Sequence, residues 1–316
     1  MRALVIGYGS IGRRHAESLR DCDGVSELVC VRSSGKSDAL NGARVVSSVA
    51  EGIAGKPDLA VIANASAAHA ETLVTLLSAG VPCYAEKPAV TKEKDALRIE
   101  TLLAQHADVA TLSGCNLRFL PSLRRMHDAI RSGAVGKPVR ASLQAGQWLP
   151  DWRPGRDYRE TYSAHAAQGG GVIFDLIHEL DAARWFFGEF DEVRALSGKL
   201  SRLEIDAEDT ACILLGRRGG PIVSVSLDYV SRRRVRRYEV VGEEGTLTWD
   251  LGAMELTLAT PSGVEILDRD PASFDVGATY LAAMREFVGA VRAGRRASPD
   301  LADGLATVRL ALRAKS

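Results

Sequence analysis

The run Gly7-Tyr8-Gly9-Ser10-Ile11-Gly12 constrains this chain more than any other stretch. Ala3 to Ile6 precede it as a continuous apolar run, in the manner of a buried parallel strand, and Arg13-Arg14-His15 continue into a helix. A G-x-G-x-x-G turn between strand and helix suits a dinucleotide. Gly7 permits the tight turn, Gly9 lets backbone approach a pyrophosphate, and Gly12 allows helix and strand to pack closely. The phosphates then face the helix N-terminus, at Ser10 and Ile11.

The alternation continues. Leu28 to Val31, Asp58 to Ala63, Val81 to Ala85 and Val109 to Ser113 read as strands. His69 to Ala79 and Lys92 to Gln105 read as helices, and Gly35 to Asn41 as a loop or frayed helix start. This order predicts a doubly wound parallel sheet, whose ligands sit beyond the carboxyl ends of the strands. Asn64, Ser66 and His69 follow the third strand, Glu86-Lys87-Pro88 the fourth, and Asn116 and Arg118 the fifth. All are candidate cofactor contacts. The second strand ends in Arg32 and Ser33, twenty residues after Gly12, where an NAD-selective site carries an acid. Arginine pairs bidentately with phosphate, so a preference for NADP(H) over NAD(H) is expected.

After Pro121 the pattern changes. Ser122 to Arg131 reads as a helix, Pro138 to Leu149 as a strand, and Pro150 to Gln168 as irregular chain. Strand candidates then recur at Val193 to Leu203, Asp209 to Leu215, Pro221 to Val230, Arg236 to Val241, Gly245 to Asp250 and Glu255 to Leu258, with hairpin turns at Arg218-Gly219-Gly220 and Glu243-Glu244-Gly245. Two helices finish the chain, Thr279 to Arg292 and Asp300 to Ala314. The expected fold is an α/β Rossmann N-terminal domain, 1–120, followed by a C-terminal α+β domain, 121–316, with an open, mainly antiparallel sheet.

Between the two halves of that second domain lies Gly169-Gly170-Gly171, opening what reads as one helix through Asp181. Asp175, His178 and Asp181 recur every three residues and so share a face. Such groups on a largely apolar helix are costly to bury unless partnered. The plainer alternative makes Asp175 a helix-terminus residue and His178 a satisfied core histidine. The nucleotide signature and Glu86-Lys87-Pro88 weigh against it.

Composition excludes several classes. Lys+Arg and Asp+Glu both number 40 in 316 residues, so net charge favours neither nucleic acid nor a membrane surface. The basic run Arg232 to Arg237 reads as a solvated face or strand edge. Five scattered cysteines without a C-x-x-C point to no metal site and no disulfide framework, and to a reducing cytoplasm. No leader and no membrane-spanning segment are expected, because a strand begins at once and no apolar run is long enough.

The ordered set Gly7 to Gly12 with His15, Glu86-Lys87-Pro88, Asn116 with Arg118, Gly169 to Asp181, and Val241-Gly242-Glu243-Glu244-Gly245-Thr246 resembles the Gfo/Idh/MocA oxidoreductase family over nearly the whole chain. The resemblance implies pyridine-nucleotide-dependent hydride transfer at a carbinol carbon of a sugar, cyclitol or derivative. It also implies an open sheet that covers the nicotinamide and often builds a homodimer or homotetramer. Lys87 matches the lysine that contacts the reacting hydroxyl, Pro88 a proline often in cis, and Glu86 a residue near the nicotinamide. Asp175 and His178 match the pair that completes the site. The commoner family pattern spaces that pair by four; here it is three, while His178 and Asp181 keep the His-x-x-Asp spacing.

The chemistry needs a base for the hydroxyl proton as hydride leaves carbon. His178 is the expected proton acceptor, and Lys87 the group that hydrogen-bonds the substrate oxygen or shares the base role. The loop Trp148 to Arg159, with Tyr162-Ser163-Ala164, offers aromatic faces and charged groups for a sugar. Trp152, Arg153, Arg156, Tyr158 and Tyr162 are the candidate substrate contacts. This loop resembles a family branch associated with bacterial surface sugars, which implies an acidic, phosphorylated or nucleotide-linked substrate. Two other functions compete: a redox-neutral oxidation and elimination with retained cofactor, and a non-catalytic NADP-binding sensor.

Overall fold

The computed structural model describes residues 1–32 and 42–316. Ser33 and the expected loop at Gly35 to Asn41 lie outside the described residues. The described chain forms two compact units, Met1–Asn116 with Gly277–Val308, and Leu117–Val276 with Arg309–Ser316. The division after Asn116 falls near the expected boundary. The expectation that everything beyond 121 forms one domain does not describe these units, because Gly277–Val308 returns to the first.

In the first unit the elements run β1 (Arg2–Ile6), α1 (Ser10–Arg20), β2 (Glu27–Val31), β3 (Arg44–Val46), α2 (Val49–Ala54), β4 (Leu59–Ile62), α3 (His69–Ser78), β5 (Cys83–Ala85), α4 (Glu93–Gln105) and β6 (Thr111–Ser113). All strands pair in parallel, in the order β3-β2-β1-β4-β5-β6. β1 and β4 are central, and Leu59 to Ile62 are wholly buried, as a strand covered on both faces must be. β3 and α2 escaped the sequence reading because both are short. α2 depends on a cap in which Ser48 Oγ accepts the Glu51 N–H at 3.1 Å, while the Glu51 carboxylate accepts the Ser47 N–H at 2.9 Å.

The second unit contains α5 (Pro121–Arg131), β7 (Pro138–Gly146), α6 (Val172–Asp175), α7 (His178–Phe187), β8 (Glu192–Gly198), β9 (Thr210–Gly216), β10 (Ile222–Asp228), β11 (Val235–Gly242), β12 (Thr246–Asp250), β13 (Glu255–Thr260) and β14 (Gly263–Asp268). Its sheet runs β14-β13-β12-β11-β7-β10-β9-β8. Only β7 and β10 pair in parallel; every other neighbour is antiparallel. Along β9, Ala211, Ile213 and Leu215 face inward while Cys212 and Leu214 face out, the period of a half-covered sheet. α6 and α7 pack on the inner face, where Tyr229, Tyr238 and Trp249 are completely buried. The chain ends in α8 (Ala278–Ala293) and α9 (Leu301–Lys315). Within the first unit α8 packs on α1. Among the described residues no helix is long and apolar enough to cross a membrane, and no cluster of three or more His, Cys, Asp or Glu is placed to hold a metal.

The edge strand β8 of the second sheet stops earlier than its sequence suggests. The expected strand ran to Leu203, but β8 ends at Gly198. The cause is Asp209, a buried carboxylate that accepts the N–H groups of Leu200 and Ser201 at 2.9 Å and the Ser201 hydroxyl at 2.6 Å. These donors take that backbone out of the ladder. Burial alone raises the Asp209 pKa, but its hydrogen bonds together hold it below the ordinary aspartate value. Its contribution to stability is therefore complete above the unfolded pKa of about 3.9 and is lost as pH falls through the folded value. Asp209→Ala is expected to lower unfolding free energy by about 2 to 4 kcal/mol at pH 7 and to flatten the acid limb of stability below about pH 4. Denaturant unfolding across that range checks both.

Candidate active site

The first unit carries the nucleotide half. Gly7 has φ +89°, and a Cβ there would lie 2.6 Å from Asn64 Cα. A Cβ on Gly12 would come within 2.0 Å of the Gly7 carbonyl oxygen. Both glycines are thus required by close packing of the turn. Gly9 differs: a Cβ there would meet nothing within 4 Å. That is the position at which backbone must lie open to a ligand. Beside the turn, Asn64 donates Nδ2–H to Thr72 Oγ1 at 3.2 Å, while its Oδ1 is buried and has no hydrogen-bond partner among the described residues. A buried acceptor left over at the carboxyl end of β4 fits a site built to receive a donor from outside. The cradle therefore fits a dinucleotide, with Gly9, Ser10, Ile11 and Asn64 as the groups to hold it.

Lys87 stands on the turn after β5, joined to Pro88 by a cis peptide bond. The turn is anchored through Glu86. His15 Nε2 lies 2.6 Å from Glu86 Oε1, the Tyr84 hydroxyl donates to the same oxygen at 3.2 Å, and the Lys87 N–H donates to Oε2 at 3.2 Å. His15 is fully buried in α1, so this pair ties the helix of the glycine cradle to the lysine turn. Burial by itself raises the Glu86 pKa, but His15, Lys87 and Tyr84 together hold it below the ordinary glutamate value. Burial, and then the Glu86 charge, push Tyr84 well up, so its hydroxyl stays a donor. A Cβ on Gly114 would lie 2.9 Å from Glu86 Cα, so the floor under the turn is tight as well.

Several cofactor-side candidates have other work. His69 Nδ1 is 2.9 Å from the Pro88 carbonyl and Nε2 is 3.1 Å from that of Asn64. Both ring nitrogens face backbone, and burial keeps the ring below the ordinary histidine value despite those carbonyls. His69 thus sits between the two turns, its one N–H donating to one of these carbonyls, and neither nitrogen is turned to a nucleotide. Ser66 is buried in the turn leading to α3. Asn116 donates Nδ2–H to Thr279 Oγ1 at 2.6 Å, from within the same unit. Arg32 is half-buried at the end of β2, its N–H on the Val46 carbonyl at 3.0 Å.

The second unit carries the other half. The glycine run opens α6, where Gly171 has φ +104° and a Cβ would strike the Glu208 carboxylate at 2.4 Å. The single expected helix is in fact two. It breaks after Asp175, and His178 begins α7. Asp175, His178 and Asp181 therefore do not line one continuous helical face. Asp175 is 3% exposed, and the Tyr229 hydroxyl donates to its Oδ2 at 2.7 Å. Tyr162 lies beside the same carboxylate. Burial first, then the Asp175 charge, push both phenols well above their ordinary value, so both hydroxyls remain donors. His178 is buried at 9% exposure. Its neighbour Glu179 is completely buried, with Arg236 Nε at 2.7 Å and the Tyr238 hydroxyl at 2.9 Å.

Arg118 and Asp181 answer each other in a two-pronged ion pair, at 2.8 and 2.7 Å. The guanidinium expected at the cofactor is a structural tie inside the second unit, and Asp181 is its partner rather than a site acid. Among the substrate candidates, Arg153 lies over the Tyr162 ring at 5.2 Å and Trp152 stands edge-on to Tyr229 at 5.2 Å. These two therefore surround the tyrosines beside Asp175. Tyr158 accepts the Glu204 N–H at 3.1 Å and so closes its own loop. Arg156 is exposed. Sequence reasoning missed Tyr229, Tyr84 and the role of Tyr162. Their one signal is a tyrosine at an inward position, where a buried hydroxyl demands a partner.

Residues 1–113 match the oxidoreductase family with an NAD-binding Rossmann fold, and residues 123–248 match the GFO/IDH/MocA C-terminal domain. An inositol 2-dehydrogenase of Acidothermus cellulolyticus is 29% identical, over 97% of this chain and 89% of that protein. Among solved structures, an oxidoreductase from Agrobacterium radiobacter in complex with NAD+, L-tartaric acid and magnesium superposes with a TM-score of 0.86 at 22% identity, covering 100% of this chain and 95% of that one. A levoglucosan dehydrogenase in complex with NADH and levoglucosan gives 0.87 at 18% identity, covering 99% and 96%. At those identities the structures establish the fold. With both of its domains matched in order, and the glycine cradle and lysine turn where that fold requires them, the chain belongs to the Gfo/Idh/MocA oxidoreductase family.

Proposed function

We propose that this protein is a nicotinamide-dependent dehydrogenase acting on a carbinol carbon of a sugar, polyol or sugar derivative, including acidic, phosphorylated or nucleotide-linked ones. The observation that carries the reading is the buried His15–Glu86 pair, which fixes Lys87 beside the dinucleotide cradle. The inositol 2-dehydrogenase and levoglucosan dehydrogenase relatives support the substrate class. When bound, the nicotinamide supplies the hydride acceptor or donor. Lys87 hydrogen-bonds the reacting oxygen and stabilises developing negative charge on it. His178 takes the hydroxyl proton, and Asp175, held by the Tyr229 hydroxyl, orients the substrate. Trp152, Arg153 and Tyr162 frame it, with Arg156 and Tyr158 further out on the same loop.

The finer cofactor reading is a preference for NADP(H). Its support is Arg32 at the end of β2, followed by Ser33 and Ser34 where an acid would select NAD. The open face of the second sheet supports a homodimer or homotetramer: Leu196, Leu214 and Ile222 project from it at 84%, 52% and 65% exposure.

Lys87→Met is expected to lower kcat/KM about 10³-fold while leaving nucleotide Kd within about threefold, by steady-state kinetics and fluorescence titration. Wild type should bind NADP+ at least about tenfold more tightly than NAD+, and Arg32→Glu should invert that order; equal affinities in wild type would sink the preference. Sedimentation velocity should find one oligomeric species, shifted to monomer by combining Leu214→Lys with Ile222→Lys. A wild-type monomer removes that role from the sheet.

A further inference from the structure

The loop joining β10 to β11 carries cations that no acid answers among the described residues. Arg232 lays its guanidinium on the Trp148 ring at 3.7 Å, and Arg233 and Arg234 follow it. Among the described residues, no carboxylate stands within ion-pair distance of these three, nor of Arg153. The basic run is thus not one solvated face. Arg236 turns inward to Glu179, and Arg234 is left beside it with its charge uncompensated. Arg232, Arg233 and Arg234 are all exposed.

This loop is rigidly joined to the groups around Asp175. Asp228 Oδ1 accepts the N–H groups of Val230 and Ser231 at 2.8 and 2.6 Å, which fixes the start of the loop. The Leu149 N–H donates to the Tyr229 carbonyl at 2.9 Å, which binds it to the segment after β7. Tyr229 then reaches Asp175, and at the loop's far end Arg236 reaches Glu179, next to His178. Of the nearby acids, Glu179 is paired with a cation, Arg236, while Asp175 is held by the Tyr229 hydroxyl and Asp228 by its own loop's N–H groups. None of the three forms an ion pair with Arg232 or Arg234. Stacking on Trp148 also restrains Arg232, so less side-chain freedom is lost when it grips a ligand.

We propose that Arg232 and Arg234 form a subsite of the second unit for an anionic group on the substrate, a carboxylate or a phosphate. The word substrate rests on the dehydrogenase reading; the anion subsite itself does not. Calorimetric titration of the NADP+-saturated protein tests it with matched sets: D-glucose against D-glucuronate, glucose 1-phosphate and glucose 6-phosphate, and myo-inositol against its 1-phosphate. At least one anionic member should bind about tenfold or more tightly than its neutral parent. Arg232→Gln with Arg234→Gln should abolish that advantage and leave the parent's affinity unchanged. Arg232→Lys with Arg234→Lys should restore part of it. The arm that wins separates carboxylate from phosphate. No anionic member exceeding its parent, or an advantage that survives the double glutamine variant, overturns the subsite. Absence of nucleotide reduction by every compound would count against the dehydrogenase reading alone, since the subsite is read by heat of binding.

Discussion

A carboxylate buried without a counter-charge would shift or neutralise rather than stay ionised, and the first unit is arranged around preventing that at Glu86. His15 comes from the helix after the glycine turn, Tyr84 from the strand that leads into Glu86, and the Lys87 N–H from the turn itself. Remove any one and the others are left facing an under-satisfied buried group. Tyr280 of α8 stands edge-on to the His15 ring at 5.8 Å, so the returning segment of the chain closes the same cluster. The position of Lys87 is therefore a property of α1, β5 and α8 together.

The second unit repeats the device three times on one short stretch. Asp175 is bound to Tyr229, Glu179 to Arg236 and Tyr238, and Asp181 to Arg118. Each acid leads to a different element, so the break between α6 and α7 is held from three directions. His178 sits inside that frame. Its orientation is a consequence of how its neighbours are neutralised, which is why spacing along a single ideal helix was a poor guide to it.

What was legible in the sequence was local. The glycine turn, the alternating strands and helices and the order of the sheet-forming segments are written in consecutive residues, and the family resemblance used those same signals. Lys87 and His178 were recognisable as chemistry-bearing groups. What was not legible were the partners. Tyr229 lies 54 positions from Asp175, Tyr238 59 from Glu179, and Arg118 63 from Asp181. No pattern read within one element announces such pairs. Arg118 and His69 looked like ligand contacts because of where they stand in the chain, and only their neighbours show that their polar atoms are turned elsewhere. The return of Gly277–Val308 to the first unit was hidden for the same reason: an amphipathic helix carries no mark of which sheet it will cover.

The parallel pairing of β7 with β10 has a consequence for the order in which the second unit assembles. β7 is the earliest strand of its sheet in sequence but lies at its middle. Ala141 meets Ser224, 83 positions on, and Arg140 meets Glu239, 99 positions on. The hairpins β8–β9, β9–β10, β11–β12, β12–β13 and β13–β14 can all close locally, each at small entropic cost. The two groups of strands have no direct pairing with each other and become one sheet only through β7. A strand made first on the ribosome is thus the last to be fully paired, and until then its two edges present unmatched backbone groups. Contact separations of that size are of the kind that slows folding, because the entropy of closing the long loops is lost before the pairing is gained.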